Sequence, residues 1–189
     1  MTRSSEMILV QEARQGSEDA FGQLVRSHSA RIINLAYRLV GNRDDAEDLA
    51  QEAFLKLHRS LKTFRGESSV GTWLYRTTSR LAVDHLRREK LKRALFFNRE
   101  QEDQDPLDAC PSPDASPRQI LLAKEVETRI QLSLRGLSPR QRVVFSLRHF
   151  EEMSLRDIAD ALGLEEGTVK AHLHRAVRTL RRELKERTE

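Results

Sequence analysis

Apolar residues recur at intervals of three and four along most of this 189-residue chain, and nowhere alternate with period two for long enough to make a strand. That spacing predicts helices. Ser17 can cap a first helix whose stripe is Phe21, Leu24, Val25, Ile32, Leu35, Ala36 and Leu39, stopped at Gly41-Asn42. A second carries Ala46, Leu49, Ala50, Ala53, Phe54 and Leu57, with Asp44, Asp45, Glu47 and Asp48 crowding its first turn. A third carries Val70, Trp73, Leu74, Thr77 and Leu81 and runs into basic residues up to Arg93. Eight Gly, five Pro and 5% aromatic residues also argue against a turn-rich β fold.

One stretch breaks the pattern. Residues 98–117 hold four of the five prolines, six acids against Arg99, and almost no large apolar residue. Such a composition reads as an extended, solvated tether. The expected architecture is therefore all-α, with two small helical domains at 1–97 and 118–189 joined by a flexible acidic linker at 98–117. The second domain shows four helical patterns. They start near Pro117 (Ile120, Leu121, Val126, Ile130), at Ser138-Pro139 (Val143, Val144, Leu147), at Ser154 (Leu155, Ile158, Ala159, Leu162) and near Glu166 (Val169, Leu173, Ala176, Leu180, Leu184).

The formal net charge of +4 conceals a strong alternation. Residues 42–54 sum to −4, residues 75–93 to +5, residues 98–117 to −5 and residues 168–187 to +5. Two basic segments of that size suit phosphate backbones, although Arg-rich helices also serve simply as solvated faces.

The last two patterns make a helix-turn-helix over residues 155–174. Ala159 is small where the helices cross, Gly163 allows the turn, and Val169 anchors the second helix on the first. Thr168, Lys170, Ala171, His172, Arg175 and Arg178 are left outside. Basic and hydrogen-bonding side chains there can enter a major groove, where Arg or Lys binds guanine and Ala or a Thr methyl meets thymine. A helical hairpin that touches only protein is the blander alternative.

A second constellation lies between residues 63 and 80. Phe64, Trp73 and Tyr75 alternate with Arg65, Arg76 and Arg80, with Ser68, Ser69 and Thr72 between them. Rings stack on unpaired bases and guanidiniums hold the backbone, so this set suits opened DNA. Trp73 fits a core position equally well. Phe64, in a polar loop, is harder to explain as core.

Other classes find little support. Cys110 stands alone, which excludes an internal disulfide or a multi-cysteine zinc site and fits a reducing cytoplasm. No run approaches the roughly 18 apolar residues of a membrane span, and the N-terminus has no apolar signal core, so a cytoplasmic protein without membrane insertion is expected. His172 and His174, two apart on a helix, point in different directions and cannot share a metal. No phosphate-cradling glycine loop and no nucleophile beside a base is present, so neither catalytic residues nor metal nor cofactor is expected.

The stretch Asp48-Leu-Ala-Gln-Glu-Ala-Phe-Leu-Lys-Leu-His-Arg-Ser-Leu61, then Phe64-Arg-Gly, then Thr72-Trp-Leu-Tyr-Arg76, resembles region 2 of bacterial RNA polymerase sigma factors. Leu137-Ser-Pro-Arg-Gln-Arg142, Ile158-Ala159, Gly163 and Gly167-Thr-Val-Lys170 resemble their region 4. Two such regions with a short linker are similar to the extracytoplasmic-function group. The resemblance implies a region 2 helical bundle and a region 4 helix-turn-helix. It implies that helix 48–61, through Asp48, Gln51, Glu52 and Leu55, docks on the clamp helices of the largest polymerase subunit, while region 4 meets the flap of the second-largest. It implies that Phe64, Arg65, Ser68, Ser69, Trp73, Arg76 and Arg80 melt the minus-ten element and capture a flipped non-template base. Lys170, His172 and Arg175 would read the minus-thirty-five element. The partners it implies are core RNA polymerase, double- and single-stranded promoter DNA and an anti-sigma factor. The linker would thread towards the RNA path, where a plain tether would also serve. Two departures stand out. Lys170-Ala171-His172 replaces the usual string of arginines, and Gly71 leaves the start of its helix less rigid. The competing reading is a helix-turn-helix regulator that does not engage polymerase.

Overall fold

The computed structural model describes residues 3–64, 66, 68–95, 126 and 128–186. The acidic linker at 98–117 and Arg65 lie outside them, as does the expected helix start near Pro117. Among the described residues every regular element is a helix.

Helix α1 (Arg3–Arg14) was not expected from the sequence, although Met7, Val10 and Ala13 repeat at a spacing of three. It buries Val10 and Ala13. Helix α2 (Glu18–Val40) starts where Ser17 accepts the Ala20 N–H at 3.2 Å and stops at Gly41, whose φ of 80° donates its N–H back to Tyr37. Helix α3 (Arg43–Ser60) is capped by Asn42 and puts Asp44 and Asp45 at the positive end of its dipole. A single 3-10 turn, Leu61–Thr63, leads into the loop before α4 (Val70–Leu95). Leu24, Ile32, Leu35, Leu57 and Leu74 are fully buried where these helices meet. The stripe of α4 is displaced from the expected one. Thr78 is buried and Thr77 only half so, because Leu74, Thr78, Leu81 and Ala82 form the inward face.

In the second block, α5 (residues 128–135) precedes α6 (Pro139–His149), α7 (Leu155–Leu162) and α8 (Glu166–Glu186). Ser138 and Gln141 form a reciprocal capping box at the start of α6, with Pro139 beside it. Gly163, at φ 64°, ends α7 and lets the chain turn into α8, while Ile158, Ala159 and Val169 are buried between the two helices. This is the helix-turn-helix that the Ala–Gly–Val spacing predicts.

The two blocks pack against each other, and sequence gave no hint of it. Val143, Val144, Leu147, Met153 and Ile158 join the same buried cluster as Leu24, Leu35 and Leu74. The last turn of α2 has carbonyls without helical partners, and arginines of the second block take them. Arg142, 7% exposed, donates to the Leu39 carbonyl at 2.6 Å and to Arg135 O at 3.1 Å; Arg135 donates to Gly41 O at 3.1 Å. Burial, with Arg135 nearby, pulls the Arg142 guanidinium down to about 10, so it still carries its charge at neutral pH. Arg38 pairs with Glu151 at 3.4 Å and lies over the Phe150 ring at 4.2 Å. Arg142→Ala leaves those carbonyls unpartnered and is expected to lower stability by about 2 kcal/mol in urea unfolding of the full chain.

Candidate nucleic-acid interface

The expected site residues separate into three places. The first is a pocket of about 360 Å³ at the start of α4, lined by Phe64, Gly66, Ser68, Trp73 and Arg76, with Ser60 and Thr63 on its α3 side. Trp73 and Arg76 lie three apart on α4 and so share one side of it. Trp73 is half-buried and backs onto the core, while Arg76 is exposed. A half-covered indole beside a guanidinium offers a stacking face and a cation in one concavity.

Several neighbours of that pocket have other duties than the sequence suggested. Phe64 is 8% exposed and belongs to the core. The 3-10 turn folds the chain back, with the Phe64 N–H on Leu61 O at 3.2 Å, and carries the ring inward beside Leu61; polar neighbours in sequence do not reveal such a turn. Phe64 thus walls the pocket from below and is not a free stacking ring. Ser69 caps α4: its Oγ accepts the Thr72 N–H at 3.0 Å and lies 2.9 Å from Thr72 Oγ1. Its hydroxyl is engaged there and does not line the pocket. Tyr75 points to the other block. Burial, then a hydrogen bond donated to Glu151, pushes its phenol above the ordinary range, so it stays neutral. Arg80 is exposed but lines a separate cavity of about 220 Å³ between α4 and the second block, with Arg87 and Arg140. Gly71 faces His28, and a Cβ there would sit 3.5 Å from its ring, an ordinary contact.

The second place is the outer side of α8. Thr168, Lys170, Arg175 and Arg178 are exposed, and Ala171 is half-buried. Lys170 is held by Glu166 one turn back at 2.7 Å, which keeps that carboxyl below its usual range. His172 is half-buried, and its Nδ1 has no hydrogen-bond partner among the described residues. Burial, then Arg175 and Arg140, lowers its pKa, so the ring is neutral at pH 7 and turned partly inward. Arg175 and Arg178 present the more accessible cations.

The third place is the outer stripe of α3. Asp48, Gln51, Glu52 and Leu55 are all exposed, at spacings that align them on one face opposite Leu49, Ala53 and Leu57. Leu55 is 49% exposed, an apolar point one turn from Gln51 and Glu52, the latter paired with Lys56 at 3.4 Å. No cluster of three or more ligand-type side chains suited to a metal occurs among the described residues.

Comparison with known proteins gives the family of the chain. Residues 24–92 match the family model for Sigma-70 region 2, and residues 127–180 match that for Sigma-70, region 4. The RNA polymerase sigma-H factor of Pseudomonas aeruginosa is 32% identical, the match covering 93% of this chain and 92% of that one. The ECF RNA polymerase sigma factor SigW of Bacillus subtilis is 30% identical over 94% of this chain and 95% of its own. This chain belongs to the extracytoplasmic-function sigma factors. As a sigma factor it binds core RNA polymerase and promoter DNA and directs transcription initiation. Its fold is shared with CnrH, solved in complex with the cytosolic domain of CnrY, at a TM-score of 0.70 and 24% identity over 96% of this chain and 97% of that one. It is also shared with RpoE of Bartonella quintana, solved in complex with the anti-sigma factor NepR, at a TM-score of 0.67 and 23% identity over 87% and 96%. No described helix of this sigma factor is long and apolar enough to cross a membrane.

Proposed function

We propose that the pocket at the start of α4 captures an unstacked base of the minus-ten element, with Trp73 as stacking face and Arg76 and Ser68 as polar contacts. The half-covered indole set beside an exposed guanidinium carries this reading. Arg80, further along the basic side of α4, holds the strand backbone. The outer side of α8, chiefly Arg175 and Arg178 with Thr168 and Lys170, reads the minus-thirty-five element as duplex. The Asp48–Leu55 stripe of α3 docks on the largest polymerase subunit, supported by its acidic, partly apolar exposure. The two matched segments support a division into region 2 within 1–97 and region 4 within 118–189, with 98–117 as the connection. The complexes formed by CnrH and by RpoE support an anti-sigma factor as the partner that holds this protein inactive. The protein acts in the cytoplasm and catalyses no reaction itself; polymerase supplies the chemistry.

The duplex half of the reading is tested with Arg175→Ala. One good side-chain contact to a base or phosphate accounts for roughly 1–3 kcal/mol of recognition. Run-off transcription from a cognate promoter is expected to fall about tenfold at limiting holoenzyme, with affinity for core polymerase unchanged. Transcription at the wild-type level would remove Arg175 from the interface.

A further inference from the structure

Helix α1 lies before the segment matched to region 2, yet it holds the loop of the pocket at three points. Arg14 Nη2 donates to Lys62 O, in the 3-10 turn, at 3.3 Å. The Met7 methyl sits under Gly66, where a Cβ would lie 2.8 Å from it; the φ of 70° is what calls for glycine there, since the end of the Met7 side chain could move aside. At the far end of the loop is Glu6, whose side chain is 13% exposed. Its Oε2 accepts the Val70 N–H at 3.2 Å, and its Oε1 lies 2.9 Å from His28 Nε2 of α2.

Val70 opens α4, so its N–H has no partner within that helix. Ser69 takes the Thr72 N–H by its hydroxyl and the Trp73 N–H by its carbonyl. The Val70 donor goes instead to a carboxylate 64 positions earlier in the chain, at the end of the helix whose dipole favours an anion. Trp73 and Arg76 follow within the next two turns. The direction in which they enter the pocket therefore depends on how this first turn is seated against α1 and α2.

We infer that Glu6 is a positioning residue for promoter opening, capping α4 from outside and fixing Trp73 and Arg76 in the base-capturing pocket. The inference rests on the pocket reading proposed above. Glu6→Gln keeps an oxygen for the Val70 N–H, whereas Glu6→Ala removes it.

The test uses holoenzyme assembled from core polymerase and the full chain. The probe is a fluorescent single-stranded oligonucleotide carrying the non-template minus-ten sequence of a promoter the holoenzyme transcribes, read by anisotropy. Glu6→Ala is expected to weaken binding about fivefold, Glu6→Gln to stay within about twofold of wild type, and core affinity to be the same for all three. Gln rescue separates acceptor-dependent positioning from a general loss of folding. Equal binding by Glu6→Ala and wild type, alongside a clear loss in Trp73→Ala, overturns the inference and leaves the pocket reading standing. Equal losses in Glu6→Ala and Glu6→Gln also overturn it. If Trp73→Ala binds like wild type, the pocket reading fails and takes the inference with it.

Discussion

Phe64→Ala is expected to lower the stability of the chain by about 3 kcal/mol, at the lower end of what truncating a buried phenylalanine costs. The ring is 8% exposed in the cluster that also holds Leu57, Leu61 and Leu74, and the rigid α3 and α4 on either side limit how far the site can collapse. Denaturant unfolding of the full chain measures it, as a shift in midpoint at constant slope. The same substitution weakens promoter opening chiefly as a consequence of folding, so cooling restores most of it, the remainder reflecting the pocket wall that the ring supplies. A stability change below about 1 kcal/mol with opening lost would place the ring in the DNA path.

Trp73→Ala has the opposite signature. Stacking of a base on an aromatic ring contributes roughly 1–3 kcal/mol, and Trp73 offers that face to the pocket. Open-complex formation is expected to slow by roughly tenfold to a hundredfold, while core binding and closed-complex affinity stay near wild type. Because the indole is only half-buried, the accompanying loss of stability is smaller than for Phe64→Ala. Stopped-flow or heparin-challenge kinetics on duplex promoter, set beside a premelted template, separate the two steps. Recovery on the premelted template is expected to be partial, since the proposed role of the ring includes capture as well as melting.

Most of the fold could be read from spacing and caps. Ser17, Gly41, Ser138, Ser154 and Gly163 each mark a boundary by a local mechanism, a side-chain cap or a left-handed turn, and local mechanisms are written in local sequence. The helix-turn-helix followed from three residues for the same reason. Three features were not legible. The burial of Phe64 depends on a 3-10 turn whose direction is set by Leu61 meeting the core. The contact between the blocks depends on Arg142 and Arg135 finding the end of α2, 103 and 94 residues away in sequence. Helix α1 is short, and its charged and polar residues dilute a stripe of three apolar positions. Of the expected site, Ser68, Trp73 and Arg76, close in sequence, line one concavity. The Ser69 hydroxyl caps α4 and Arg80 lines a separate cavity that Arg140 also lines, placements set by local hydrogen bonding and by the second block that residue types alone do not show.

The central claim is that this sigma factor opens DNA at the α4 pocket and reads duplex with α8, on two separate faces. Permanganate and DNase footprints of one promoter, taken with wild-type, Trp73→Ala and Arg175→Ala holoenzyme, test it most directly. Trp73→Ala should keep the upstream protection and lose thymine reactivity around the minus-ten element. Arg175→Ala should lose upstream protection while the promoters still occupied remain melted. Melting at the wild-type level in Trp73→Ala, or loss of upstream protection together with thymine reactivity in Trp73→Ala, would contradict it.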